Sequence, residues 1–264
     1  MVITDKFVYI HKPKTGGTFV TDALLKLYDG KWNLLMHAKL ATLKVIRYKN
    51  QFGTLIFTAD KHGGCSHIPE GHLHKTIVST IRNPYDYYVS QYEFGWWKRK
   101  EWLKYYSQFP WFKQKFPSFP AISFRQFMEL MHLAFNPQGF IDFEDPASPG
   151  RNTFEFIEMY FKSPSNSYNK ISVDYAQSEL IKDDMYPVKF IFTHKLNQQL
   201  YEFLCKMDYP QDKIEFILKK EKVLPQGKGR NAKQDWRQYY TDDLIDLVRK
   251  KDAFLFSIFP EFSV

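Results

Sequence analysis

Two short stretches of this chain hold residue types whose spacing could bind a phosphate-like anion. The first is Lys12-Pro13-Lys14-Thr15-Gly16-Gly17-Thr18. It follows an apolar run, Phe7 to Ile10, and precedes Phe19, Val20, Ala23, Leu24 and Leu27, which recur at helical spacing. A strand, a glycine-containing loop and a helix in that order make a phosphate cradle. N–H groups at the helix N-terminus point at the anion, and the helix dipole adds to the attraction. Gly16 and Gly17 allow close backbone approach. Thr15 and Thr18 offer hydroxyls, and Lys12 and Lys14 offer charge. For Lys12 a solvent-facing lysine is the alternative. The loop is not G-x-x-x-x-G-K-[ST], because its lysines precede its glycines, nor is it G-x-G-x-x-G. That disfavours an ATP–Mg²⁺ kinase.

The second stretch pairs Arg82 with Ser90. A largely β-branched run, Lys75 to Ile81, ends at Arg82, and Pro84 suits the first turn of a helix. Ser90 then lies about two turns into that helix. Arg82 as a guanidinium fork and Ser90 as a hydroxyl donor could reach one phosphate. A surface arginine and a mid-helix serine are the plainer alternative. Ligands of open α/β sheets bind beyond the carboxyl ends of the strands, so both stretches are expected to face one crevice.

The elements that must position these residues read as an alternation of strands and helices. Thr54 to Thr58 and Val188 to Phe192 read as further strands. Gln126 to Phe135 and Leu196 to Lys206 read as helices. Thr241 to Phe254 reads as one amphipathic helix with Thr241 as N-cap. This pattern predicts an α/β fold with a mainly parallel sheet. No repeat and no Pro- or Gly/Ser-rich linker divides the chain, so residues 1–264 are expected to form one domain. From Trp96 to Pro120 aromatic residues interleave with Lys and Arg.

Composition narrows the function classes. The chain has 264 residues, 44% hydrophobic and 25% charged, which excludes disorder as its main state. Aromatic residues reach 18%, so some are expected to line a cleft. Lys and Arg number 37 against 29 acids, a net +8 that favours an anionic partner: nucleic acid, a membrane surface or a phosphorylated small molecule. Cys65 and Cys205 form neither a disulfide framework nor a CxxC metal site. No apolar run reaches the roughly 20 residues of a membrane span, and none suits a signal peptide. A cytoplasmic protein is expected.

YIHKPKTGGTF resembles the 5′-phosphosulfate loop of the PAPS-dependent sulfotransferases (PAPS is 3′-phosphoadenosine 5′-phosphosulfate). IVSTIRNPYDYYVSQYEF resembles their 3′-phosphate motif. The likeness is closest to the carbohydrate-type and bacterial branch, whose final helix Asp235 to Phe259 also resembles. It is strong over residues 7–20, 75–94 and 235–259 and faint from about 95 to 185. The chain departs from the branch at Thr193-His194-Lys195, where an acidic residue is frequent.

The resemblance implies a P-loop-like three-layer fold with a central, mainly parallel sheet flanked by helices. It implies a single sulfotransferase domain with an aromatic-rich, acceptor-binding helical insertion at about 95–165. The implied reaction is in-line transfer of a sulfuryl group from PAPS to a hydroxyl or amine of a small molecule or sugar, releasing PAP, without metal. Lys14 would stabilise charge on the oxygen between sulfate and 5′-phosphate. Lys12, Thr15, Gly16, Gly17, Thr18 and Phe19 complete the 5′-loop, and Arg82 and Ser90 take the 3′-phosphate. Residues 219–237, with seven Lys/Arg and two acids, would close over the nucleotide through Lys228, Gly229 and Arg230. Transfer to an alcohol needs a base. Asp60 to His67 follows the second strand, and the branch's K-H pair favours His62, with His67 second. The competing classes are a nucleotide kinase and a non-catalytic single-stranded nucleic-acid binder. The kinase would need a Walker lysine that the loop lacks, the binder leaves the pairing of the two phosphate motifs unexplained, and no nucleic-acid partner is expected.

Overall fold

The structure is a computed structural model that describes residues 1–30, 34–135, 143, 145, 147–223 and 235–263. Six strands form one sheet: β1 Val2–Thr4, β2 Phe7–Ile10, β3 Val45–Asn50, β4 Gly53–Thr58, β5 Thr76–Ile81 and β6 Val188–Phe192. The longer helices are α1 Gly17–Leu27, α2 Leu34–Leu43, α3 Pro84–Phe94, α4 Lys100–Tyr106, α5 Phe124–Ala134, α6 Arg151–Tyr160, α7 Leu196–Lys206, α8 Asp242–Lys251 and α9 Ala253–Ile258. No helix among the described residues is long and apolar enough to cross a membrane.

The chain divides into two compact units that interleave in sequence. The first comprises Met1–Arg82, Glu158–Lys162 and Lys182–Val223. It holds the whole sheet, ordered β3-β4-β1-β2-β5-β6. The fold is α/β with helices flanking this sheet, but the sheet is mixed, which corrects the expectation of a mainly parallel one. β2–β5 and β5–β6 pair parallel, whereas β1–β2, β1–β4 and β3–β4 pair antiparallel. The reason is local. β1 and β3 went unread in the sequence, and each joins its partner through two residues, Asp5-Lys6 and Gln51-Phe52. A connection that short closes only an antiparallel pair. The finer expectation, a P-loop-like three-layer form, is not established by this order.

The core of the first unit lies on one sheet face. Phe7 and Tyr9 of β2, Val78 of β5 and Ile191 of β6 meet Val20, Ala23 and Leu24 of α1 and Leu200 and Leu204 of α7. Alternate β-strand residues share a face, so the odd positions of β2 dictate which helices it receives. Phe7 packs edge-on against Phe203 at 5.1 Å.

The second unit comprises Asn83–Ile157, Ser163–Ile181 and Leu224–Val264. α3 begins as the sequence implies: Asn83 accepts from the Tyr85 N–H at 2.9 Å, and Pro84 fills the first turn. α5 starts at Phe124 because Ser123 and Gln126 form a capping box. The core of this unit is aromatic, with Tyr88, Trp97, Tyr106, Phe112, Phe116 and Phe127 buried together. Much of the aromatic surplus is therefore packing. The expected single C-terminal helix is two, α8 and α9. The Lys251 carbonyl accepts from the Gly150 N–H at 2.8 Å, which interrupts the helical ladder. At the break, buried Asp252 accepts from the Tyr88 hydroxyl (2.9 Å) and from the Thr153 N–H and hydroxyl (3.0 and 2.7 Å).

His132 of α5 is fully buried in this unit. Its Nε2 accepts from the Arg151 N–H at 3.2 Å, so its proton sits on Nδ1, which donates to the Met128 carbonyl at 2.7 Å. Both nitrogens have neutral-ring partners. Burial, outweighing the Met128 bond, drops its pKa to about 3. Neutral His132 contributes fully above the unfolded value near pH 6.5. Below it the unfolded chain binds a proton that the folded chain refuses, so stability falls with pH, by up to about 1.4 kcal/mol per unit. His132→Gln should lower stability at pH 7.5 and flatten the loss between pH 6 and 4.5. Urea unfolding across that range measures it, and an unchanged slope would exclude His132 as a source.

Candidate functional site

The direction of each strand fixes where its exit loop emerges. β4 runs opposite to β1, and β1 runs opposite to β2, so β4 and β2 point the same way. β5 and β6 are parallel to β2. The carboxyl ends of β2, β4, β5 and β6 therefore share one edge of the sheet. There the chain presents the loop His11 to Gly16, the segment Ala59 to His67, Arg82, and Thr193 to Lys195.

The loop after β2 turns by positive φ at Lys14 (64°) and Gly16 (97°). The first is uncommon for a side-chain-bearing residue and costs roughly 1–2 kcal/mol. Hydrogen bonds hold it. An Arg82 Nη1–H donates to the Lys14 carbonyl at 2.8 Å. The Thr193 hydroxyl sits 2.8 Å from the Thr15 carbonyl and 2.9 Å from that of Ile81. Thr193 opens the segment in which the sequence departs from the sulfotransferase pattern. A carboxylate there would have no proton to donate to these carbonyls.

Gly16 is the N-cap of α1 and supplies no side-chain cap. The first N–H groups of α1, from Gly17, Thr18 and Phe19, thus receive no side-chain cap from residue 16. Thr15 is fully buried, with its hydroxyl donating to the Lys12 carbonyl (2.9 Å) and meeting the Thr80 hydroxyl (2.8 Å). That hydroxyl braces the loop rather than facing outward. Lys12 is fully buried too, so it is not a solvent-facing lysine. Phe19 lies in the core, and Lys220 stands over its ring at 5.6 Å while pairing with Asp22.

Lys14 is half-buried. Burial, then the neighbouring charges of Arg82, Lys222 and Lys61, push its pKa down to about 7. A cavity of about 450 Å³ opens beside Thr193, lined by Thr193 to Gln199 and Glu202.

Both candidate bases follow β4. His62 Nδ1 lies 3.0 Å from the His11 carbonyl, which can only accept, so Nδ1 carries the proton and Nε2 keeps its lone pair. The His62 ring meets that of His11 edge-on at 4.9 Å. Desolvation pulls its pKa down against the opposing effect of the His11 bond. His67 is exposed, and its Nδ1 lies 2.6 Å from Asp60 Oδ2. Ser90 is half-buried on α3 and belongs to the second unit. Lys228, Gly229 and Arg230 lie outside the described residues.

Sequence reasoning missed His11, Asp60, Thr80 and Thr193. The first two sat in view beside the loop residues, as neighbours of Lys12 and His62. Nothing in the sequence marks Thr80, and Thr193 is marked only as part of a departure from the sulfotransferase pattern, because strand pairing alone brings both to the loop.

Comparison with known proteins finds no family model, no curated protein and no solved structure that matches this chain.

Gly17 is required by His11. A Cβ at Gly17 would lie 2.1 Å from His11 Cδ2 and 2.6 Å from Cγ. Gly17→Ala should therefore destabilise the protein by about 1–3 kcal/mol, the range of overpacking. In a His11→Ala background the same change should cost little, a coupling of about 1–2 kcal/mol. Thermal melts of the four proteins of this cycle measure it. Additive effects would show that the ring contact does not set the residue at 17.

Proposed function

We propose that this chain is a sulfotransferase that takes PAPS as donor, transfers its sulfuryl group to a hydroxyl or amine of a small molecule or sugar, and releases PAP. The observation that carries the reading is the crowding of Lys14 by Arg82, Lys61 and Lys222 beside an α1 N-terminus with no side-chain cap. Cations gathered at a helix N-terminus suit a multiply charged anion. The resemblance of the two sequence motifs favours PAPS as that anion. The donor brings an activated sulfuryl group, whose loose in-line transfer depends on positioning and charge stabilisation.

The residues divide this work. The N–H groups of Gly17, Thr18 and Phe19 hold the 5′-phosphate, with the Thr18 hydroxyl beside them. Lys14, kept pointing by the Arg82 bond to its own carbonyl, stabilises charge on the oxygen left behind. Arg82 also serves the 3′-phosphate, and the resemblance adds Ser90. His62 serves as base through Nε2, because the His11 carbonyl engages Nδ1–H and its lowered pKa keeps the ring neutral. His67 is the second candidate, with Asp60 fixing its tautomer in the same manner.

The test is calorimetric titration of PAP, with 5′-AMP and ATP–Mg²⁺ as controls. Micromolar PAP binding with much weaker AMP binding is expected. Preference for ATP–Mg²⁺, or none for PAP, would overturn the reading. Lys14→Ala should stay folded and lose turnover by about 10²-fold or more, as when one transition-state donor is removed.

The pH dependence follows from the Lys14 pKa of about 7. A bound phosphate raises that value. PAP binding near pH 8 should then take up close to one proton, and affinity should fall by up to about tenfold per unit as pH rises above 7. Titrations in two buffers of different ionisation enthalpy measure the uptake. It should vanish in Lys14→Ala, and uptake that persists would assign the proton elsewhere.

A further inference from the structure

We propose that residues 96–115, in the second unit, form a surface that docks on an anionic lipid bilayer. The segment has six Lys/Arg and one acid. Lys98, Arg99, Lys100, Lys104, Lys113 and Lys115 are all exposed. Lys115 pairs with Glu129 at 2.9 Å, and the others extend the basic face. α4 organises the middle of it. Tyr106 is fully buried and Trp102 half-buried on the inner side, whereas Lys100, Leu103, Lys104 and Ser107 lie outward. Leu103 is 41% exposed between the lysines. The turn that follows adds Phe109 and Trp111, both half-buried and stacked at 4.9 Å.

This combination matches a bilayer interface better than a polynucleotide. Half-buried Trp and Phe rings sit at headgroup depth, and Lys stems cover apolar surface while their ammonium groups reach anionic headgroups. Trp102 has one face against Tyr106, and Trp111 has one against Phe109, which limits them as stacking platforms for bases. An exposed Leu103 gains nothing from phosphates, but it gains apolar burial at the acyl boundary. α4 has seven residues, so the contact lies on the bilayer without crossing it. The inference stands apart from sulfuryl transfer.

The experiment is sedimentation of the whole protein with vesicles of phosphatidylcholine alone or with 30% phosphatidylserine. Binding is expected for the second only, weakening with salt. Lys100→Glu/Lys104→Glu should reduce it by about 25-fold or more, since each lysine near such a surface is worth roughly fivefold. Leu103→Ser should reduce it about threefold, and vesicles should blue-shift the tryptophan emission. Lys113→Glu alone tests the same face should the double variant fail to fold. Absence of vesicle binding, or binding unchanged by all three substitutions, overturns the proposal. Binding of single-stranded RNA with the same lysine dependence, and no vesicle binding, replaces it with a nucleic-acid surface.

Discussion

Lys14 and Arg82 repel one another, yet the Arg82 guanidinium donates to the Lys14 carbonyl and keeps the two cations together. Most of what is unusual at the carboxyl edge of the sheet serves that unfavourable approach. The backbone at Lys14 is left-handed, which carries a cost. The loop persists because its carbonyls are held from outside it: that of Lys14 by Arg82, and that of Thr15 by Thr193. These donors come from the ends of β5 and β6. The strained turn is therefore a tertiary feature, and it persists only while the parallel strands stay in register.

That arrangement also explains why the loop carries more buried polar groups than a plain strand-to-helix turn. Thr15 joins a chain of hydroxyls that runs through Thr80 to Tyr9. Each member lies in the interior, where an unsatisfied hydroxyl would cost about 1–3 kcal/mol. His11 fills the space over Gly17, which only a residue without a side chain leaves open. At the start of α1 the N-cap, Gly16, brings no side-chain cap, and the neighbouring Thr15 hydroxyl is turned inward.

How much of this was legible in the sequence depended on range. Phe7 to Ile10, the helix after Gly16 and the Pro84 helix start are local signals, and the structure has each of them. The Ser123–Gln126 capping box was equally local and went unread. β1 and β3 were missed for different reasons. Three residues give no periodicity to read. In β3, Arg47 and Lys49 point outward on an edge strand whose charged face hides its pattern. The break between α8 and α9 was beyond reach, because it depends on Gly150, about a hundred residues away in sequence. The same applies to Thr193: the sequence marked it as a departure, and only the paired strands show what its hydroxyl reaches.

The mixed sheet overturned the expected strand directions, yet the exits of β2 and β4 still share one edge, and the reason is one of parity. A single antiparallel step would have sent β4 toward the opposite edge and carried Asp60 to His67 away from the Lys14 loop. Two steps, β2 to β1 and β1 to β4, restore the direction. β1 is the strand that supplies the second reversal, and its three residues are buried. The Nδ1 contact of His62 to the His11 carbonyl is the direct result, since it joins the exit of β4 to the exit of β2 across the strand between them. A short, unremarked strand at the start of the sheet is thus what lets the His11-to-Gly16 loop and the segment Ala59 to His67 meet on one edge.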